Sequence, residues 1–398
     1  RAMVLAALLL PIAVAMIVFM TQRLRLSAFL AIMATVVVYG IAASMTFQSV
    51  GKAFGLGFAA ALEQIGLLVV AGALAGTVLL RTPLGTGTSA IAGALAGLGG
   101  SAAGGLALLQ PTGQESPRRA LGLALTLLAF SALVMPSPLA VAAGSVLKAN
   151  LWTMLAVALP VATIAAALGW WHVMRQVIPG TAPGRLSWAW LAVAIPIALL
   201  VVQSIAQMPS EPLGKGGARE FYTGISKPLI LAALAVTLAV VLARRWQPSA
   251  LASRSWAPLL LAVGAAGGLG RVLDETGMAE LLAEYALQPQ FGLLTPFLAA
   301  AIVKTMQGNS LSAVLTATGM VEPMLPALGL DSSVGRALAA AAAGAGSMAI
   351  CHVNDPFFWI AAHMGGLTPT RALWIVSLGS LVMAIGALVV LAAVRQFI

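Results

Sequence analysis

The sequence predicts an all-α integral membrane protein, and three observations carry that expectation. Of 398 residues, 61% are hydrophobic and 8% are charged, against roughly 25% charged in soluble domains. Uncharged runs recur along the whole chain, at 2–22, 26–51, 64–80, 120–147, 149–171, 186–210, 228–243, 285–303 and 372–394. Most of them reach the roughly 20 apolar residues that cross a bilayer as helix. Finally, the few polar side chains inside the apolar sequence are bunched rather than scattered. Counting further glycine-rich stretches, the length rule gives about ten to twelve spanning or half-spanning helices.

The first run, 2–22, lacks a small-x-small cleavage site and reads as a retained span rather than a secretion signal. The chain begins with arginine, so native residues are expected before it. A net charge of +10 would suggest nucleic acid in a soluble protein. Here the Arg and Lys lie mainly between apolar runs and read as topology signals. The single cysteine, Cys351, excludes an internal disulfide, and no metal-type Cys/His spacing occurs. Neither a cofactor nor a nucleic-acid partner is expected; the lipid bilayer is, and homo-oligomerisation is left open.

Residues 209–227 (PSEPLGKGGAREFYTGISK) form the one long polar, Gly/Pro-bearing stretch near the middle. They divide the chain into a first membrane half, 1–208, a connector, 209–227, and a second half, 228–398. Arginines in 172–185 and 244–254 place those two loops in the cytoplasm and the connector outside. A glycine pattern in GALAGTVLLRTPLG from Gly72 recurs in GAAGGLGRVLDETG from Gly264, 192 residues later. Two explanations compete, chance in a Gly/Ala-rich chain and a duplicated half of the kind secondary transporters use.

If Arg81 and His172 are both cytoplasmic, an even number of crossings separates them, yet three apolar stretches intervene, at 86–109, 120–147 and 149–171. One should then be re-entrant. The break at Pro136-Ser137-Pro138 is the preferred candidate, with the glycine-rich 86–109 stretch close behind.

Two polar clusters stand at membrane depth in the second half. The first is Lys304-Thr305-Met306-Gln307-Gly308-Asn309-Ser310-Leu311-Ser312. Gly308 permits an irregular backbone, and Asn309 or Ser310 suits the cap of a helix restarting there. Such a helix start presents unpaired N–H groups and a positive dipole end to an anion. The bland alternative is that Gln307, Asn309 and Ser310 satisfy one another in a packed bundle. Lys304 either snorkels to an interface or supplies a cation, to a substrate carboxylate or to an acid such as Asp355.

The second cluster, His352-Val353-Asn354-Asp355-Pro356, puts ionisable groups where burial costs several kcal/mol. Pro356 biases Asp355 away from helix, so the segment is expected to break there. Asp355 can exchange a proton, His352 can relay it and Asn354 can bond a substrate hydroxyl; a self-contained knot that stabilises the break is the competing reading. Phe357, Phe358 and Trp359 read as packing or interface aromatics. Glu63 is open between a buried and an interfacial position.

These residues also carry a family resemblance. GAGSMAICHVNDPFFW (344–359) resembles the (S/G)H-x-ND-x-x-FW signature of the gluconate permease family of proton-coupled symporters, within the ion transporter superfamily. AVGAAGGLGRVLDETGMAELLA is similar to that family's glycine-rich segment and VL-x-x-(S/T)G turn, and AAIVKTMQGNSLSAVLTATGMVEP to its (R/K)-x-x-QGS-x-x-VA-x-x-T element. More weakly, GFAAALEQIGLLVVAGALAGTVLL resembles the opening glycine stretch. The resemblance implies two inverted-topology repeats, each with a broken or re-entrant helix. It further implies import of a hydroxylated carboxylate with protons across a bacterial-type cytoplasmic (inner) membrane, and points to Gln307, Gly308, Asn309, Ser310, His352, Asn354 and Asp355. Where family members usually carry Phe-Phe-Asp in the first half, this chain has Met135-Pro136-Ser137-Pro138 and no acid. Asn309 stands where the QGS string has serine, which shifts the hydroxyl to Ser310.

The expected function is therefore symport of a sugar acid such as gluconate, or of a shorter hydroxy acid such as glycerate. Its carboxylate would be held near Gln307, Gly308, Asn309, Ser310 and Ser312 and near Ser137, with Lys304 as a cation, Asn354 would bond a substrate hydroxyl, and Asp355 and His352 would couple the proton. Sodium coupling through unwound carbonyls near Gly308 and Pro136 is the alternative. A membrane hydrolase using His352, Asp355 and His363 would need a nucleophile elbow or HExxH that the chain lacks.

Overall fold

The structure is a computed structural model, and it describes residues 2–78, 86–112, 116–178, 188–243 and 256–397. Among the described residues every regular element is a helix, and none is a strand. Arg81, part of the first loop used for topology and the whole of 244–254 lie outside them.

In the first half the helices are α1 (Ala2–Gln22), α2 (Ala28–Ala42), α3 (Phe47–Ala61), α4 (Leu67–Val78), α5 (Thr86–Gly97), α6 (Ala102–Leu108), α7 (Pro117–Leu133), α8 (Pro138–Val146), α9 (Leu151–Gln176) and α10 (Leu191–Ala206). The connector holds a short helix, α11 (Gly217–Gly224), bent by 52° from α12 (Pro228–Ala243). After it come α13 (Ala257–Asp274), α14 (Met278–Glu284), α15 (Leu294–Gln307), α16 (Ser310–Val321), α17 (Ser333–Ser347), α18 (Pro356–Met364), α19 (Pro369–Ala372) and α20 (Leu378–Gln396). Among the described residues six helices are long and apolar enough to cross a bilayer, seven with the bent pair. Large apolar side chains such as Trp152, Val241 and Val389 remain exposed on them, as do Ile12 and Val37 on the shorter apolar helices α1 and α2. In a bilayer such exposure meets hydrocarbon, so it carries no penalty.

Four interruptions organise the centre. In the second half, Gly308 ends α15 in the left-handed conformation (φ 71°), its N–H bonding the Lys304 carbonyl at 2.8 Å. Asn309 then restarts the chain as the cap of α16. α15 and α16 pack against each other along their length, so this is a hairpin with Gly308-Asn309 at its tip. Beyond it, α17 stops at Ser347 and α18 starts at Pro356, where a missing N–H costs nothing, with Asp355 as its cap. The first half repeats both devices. Gly100 (φ 66°) and the cap Ser101 separate α5 from α6, and Ser137-Pro138 restarts the chain between α7 and α8.

The two broken pairs run antiparallel. Leu121, near the start of α7, lies against Gly365 just past α18, and Arg336, near the start of α17, donates to the Leu147 carbonyl just past α8. α8 packs on α16, and α6 on α18, so each half's second piece lies against the other half. The breaks correspond at separations of 208 residues (Gly100 to Gly308) and 218 residues (Ser137 to Asp355). That differs from the 192-residue glycine pattern, whose Gly72 and Gly264 sit inside α4 and α13.

The preferred re-entrant element needs correction. α7 and α8 form one span, 117–146, that is interrupted at 134–137 but continues in the same direction. The glycine-rich stretch is interrupted as well, by the Gly100 turn. Pro-Ser-Pro unwinds a crossing helix because Pro136 and Pro138 both remove backbone donors, without reversing it.

Candidate functional site

A cavity of about 780 Å³ lies where these interruptions meet, within the roughly 300–1,000 Å³ range of small-molecule sites. Its walls include Gly100-Ser101 and the start of α6, Pro138 and Leu139 of α8, residues 307–312 and residues 354–357. The N-terminal ends of α8, α16 and α18 therefore all face it, with that of the short α6 beside them. Aligned peptide dipoles make each such end partly positive.

The sequence-derived residues take distinct places. Asn309 Oδ1 accepts from Leu311 N at 3.0 Å and Ser312 N at 3.2 Å, as expected of a cap. Ser312 Oγ donates to Gln307 Oε1 at 2.7 Å, while Gln307 Nε2 donates to Asp274 Oδ1 at 2.6 Å and Glu280 Oε1 at 2.8 Å. Ser310 lines the cavity, but its hydroxyl donates to the Ser347 carbonyl at 2.9 Å, tying the hairpin to α17. Gly308 cannot be larger: an added Cβ would lie 2.2 Å from the Asn354 carbonyl oxygen.

Lys304 and Ser137 do not face the cavity. Lys304 is 1% exposed, and its ammonium is ion-paired with Asp355 Oδ2 and donates to the Gly308 carbonyl at 3.2 Å. Of the two cation roles considered for it, the structure realises the acidic partner rather than the substrate. Ser137 is fully buried and donates to the Ser131 carbonyl, leaving Pro138 and Leu139 to line the cavity.

Asp355, 6% exposed, lines the cavity and is fully engaged: Oδ2 with Lys304 and Oδ1 with Phe357 N at 2.8 Å. Asn354 points its amide nitrogen at two hairpin carbonyls, Thr305 O and Met306 O, both at 3.0 Å. Those acceptors fix the amide orientation, and Asn354 Oδ1 is left buried without a hydrogen-bond partner. His352 Nε2 lies 2.7 Å from the Thr305 carbonyl, which makes it the protonated nitrogen and leaves Nδ1 unpartnered. No hydrogen bond joins the His352 ring to the Asp355 carboxylate; the two share only Asp355 N bonding the His352 carbonyl.

The sequence residues span 114–398 in their match to the GntP family permeases. The chain belongs to the GntP permease family. Membership sets the hydrolase reading aside, and it agrees with the geometry, since His363 is exposed on α18 while His352 is buried. A gluconate permease of Pseudomonas aeruginosa is 32% identical over 105 residues, 26% of this chain and 23% of that protein. The low-affinity gluconate transporter of Escherichia coli K12 is 34% identical over 116 residues, 29% of this chain and 26% of that protein. An uncharacterized permease of Bacillus subtilis is 34% identical over 113 residues, 28% and 24% respectively. The chain thus spans about a quarter of the length of the curated relatives it matches.

Several cavity residues had no part in the sequence reading. Arg271 lines the cavity and bonds Asp274 Oδ2 at 2.9 Å and Glu275 Oε1 at 2.7 Å. Asp274 and Glu280 meet through the Gln307 amide. Gln64, Gln203 and Gln207 complete the polar lining. The signal for the last two was available: they stand four residues apart in an otherwise apolar run, hence on one helix face.

Proposed function

We propose that the protein is a secondary transporter that carries a hydroxylated carboxylate of the gluconate type across the cytoplasmic membrane together with protons. The observation that carries this reading is the convergence of three helix N-termini, those of α8, α16 and α18, on one cavity. Such ends attract anions through free N–H groups and the helix dipole. α8 contributes most directly, because its cap residue Ser137 makes no side-chain bond to the helix's first N–H groups.

The charge balance supports an anionic substrate. Asp355 is neutralised by Lys304, so the helix ends are not opposed by a free carboxylate at that junction. Asn354 lines the cavity, and its buried Oδ1 is an unused acceptor that a rearranged junction would offer to a substrate hydroxyl. Names of relatives that include gluconate permeases and a gluconate transporter favour a sugar acid. The antiparallel broken pairs support alternating access by two inverted repeats around a fixed site.

Coupling follows from the same ion pair. Protonating Asp355 would free the Lys304 ammonium, and a buried ammonium without a partner costs several kcal/mol. The junction would then rearrange or draw an anion to it, linking proton and carboxylate. His352 Nδ1 adds a second vacant acceptor beside this path. Labelled gluconate uptake into proteoliposomes with an inwardly directed proton gradient tests the proposal. Accumulation that collapses with an uncoupler is the expected result; accumulation that needs sodium and ignores the uncoupler would contradict it.

A further inference from the structure

From the first-half lining of the cavity we infer a second subsite, formed by Gln64, Gln203 and Gln207, that binds the hydroxyl-bearing tail of the substrate. This rests on the carboxylate reading above and adds to it a second, uncharged point of recognition.

All three glutamines line the cavity; Gln64 and Gln207 are exposed and Gln203 is half-buried, and none of their side-chain amides is hydrogen-bonded to another protein group. They come from two separate parts of the fold. Gln64 lies in a π-helical turn, Leu62–Gly66, between α3 and α4. Such turns insert one residue into the helical repeat and are frequent at functional sites. Gln203, in the last turn of α10, and Gln207, its C-cap, are one turn apart.

Their setting is fixed by the first-half break. Ser204, next to Gln203, accepts from Gly100 N at 3.0 Å, which locks the register of α10 to the Gly100-Ser101 turn. Ile65 within the π turn and Leu68 just after it pack against Gly104 in α6. The amides therefore belong to the neutral first-half side of the cavity, amid Ile65, Leu68, Leu200 and Leu231. The ends of α16 and α18 belong to the other half, and the end of α8, from this half, lies with them because α8 packs on α16.

The chemistry selects the occupant. An amide offers two donors and an acceptor without charge, and so matches a hydroxyl, which both donates and accepts. It offers a carboxylate nothing that a helix end does not. A few polar groups set in an apolar wall confer orientation and specificity rather than bulk affinity. An acid with a hydroxylated chain would satisfy both ends; an acid with a bare hydrocarbon chain would leave the amides unpaired after displacing their water.

The test is equilibrium binding of gluconate, hexanoate and the shorter glycerate to the purified full chain. Wild-type protein should prefer gluconate to hexanoate. In Gln203→Leu/Gln207→Leu, gluconate binding should weaken on the order of 10–100-fold, as when a hydrogen-bonding site loses its polar groups. Glycerate binding should change by less than about twofold, which also reports that the variant is folded. Gln64→Leu, on a different helix, should reduce the gluconate preference independently. Gluconate affinity indifferent to all three glutamines would overturn the subsite while leaving the carboxylate reading intact. Wild-type protein that binds none of the acids, yet binds the carboxyl-free polyol sorbitol in a glutamine-dependent way, would overturn the carboxylate reading and keep the subsite.

Discussion

The two halves build their central junctions with the same backbone devices and different side chains. Each has a left-handed glycine followed by a capping residue, Gly100-Ser101 and Gly308-Asn309, and each restarts a helix on a proline, after Ser137 and after Asp355. Charge appears only in the second half. There Lys304 and Asp355 pair across the break, whereas α5 has no charged side chain and Ser137 stands in the place of the acid. Opening a helix at membrane depth therefore does not require ions. The ion pair is an addition to a scaffold that glycine, proline and capping residues already hold open.

This contrast can be broken or sharpened by substitution. The largest effect is expected at the ion pair. Lys304→Met or Asp355→Asn alone leaves a buried charge without a partner and should cost about 3–5 kcal/mol of stability. The double variant should be more stable than either single one, and thermal unfolding in detergent measures the difference. Additive losses would mean that the pair is not the unit described.

Next comes the glycine pair. Gly308→Ala would press a methyl group onto the Asn354 carbonyl oxygen at 2.2 Å, and Gly100→Ala would meet only the flexible Leu200 side chain at 3.3 Å. Both carry left-handed strain of about 1–3 kcal/mol, but only the first adds a backbone clash. Gly308→Ala should abolish transport, and Gly100→Ala should reduce it. Equal losses would remove the distinction between the two tips.

Smaller effects are expected at the caps. Asn309→Ala frees two N–H groups and Ser101→Ala frees one, so the former should lose more, with about 1 kcal/mol as the central value for a cap. The smallest concerns Glu322, at the far end of α16, whose hydrogen bond and charge interaction with Lys148 hold its carboxyl below the usual carboxylate range. Because the folded value is depressed, this stabilisation is present above the unfolded pKa and is lost as pH falls through the folded one. Lys148→Ala should therefore unfold slightly earlier than wild type at neutral pH and converge with it in acid.

The second-half junction was legible because its residues are chemically conspicuous. Gly308 and Asn309 are the types that end and restart helices, and Pro356 marks the restart behind Asp355. Pairing of Lys304 with Asp355 was one of three readings, and only the packing of the hairpin against the α17–α18 break, which brings residues 51 apart in sequence together, decides it. The first-half tip was obscured, since Gly99-Gly100-Ser101 lies among many glycines and alanines with no charge to single it out. The repeat register was misleading for the same reason: small residues at helix crossings imitate a repeat wherever helices pack closely. Gln203 and Gln207 were legible as one helix face, but only the cavity brings Gln64 to them.

Proton coupling through Asp355 is the central claim, and it is tested most directly by comparing two assays on one variant. Wild-type protein and Asp355→Asn, in which the side chain can still cap Phe357 N, are reconstituted into proteoliposomes. Gradient-driven gluconate accumulation is then measured beside gluconate counterflow without a gradient. The account predicts that Asp355→Asn loses accumulation and keeps counterflow. Accumulation that persists at the wild-type level in Asp355→Asn would contradict it.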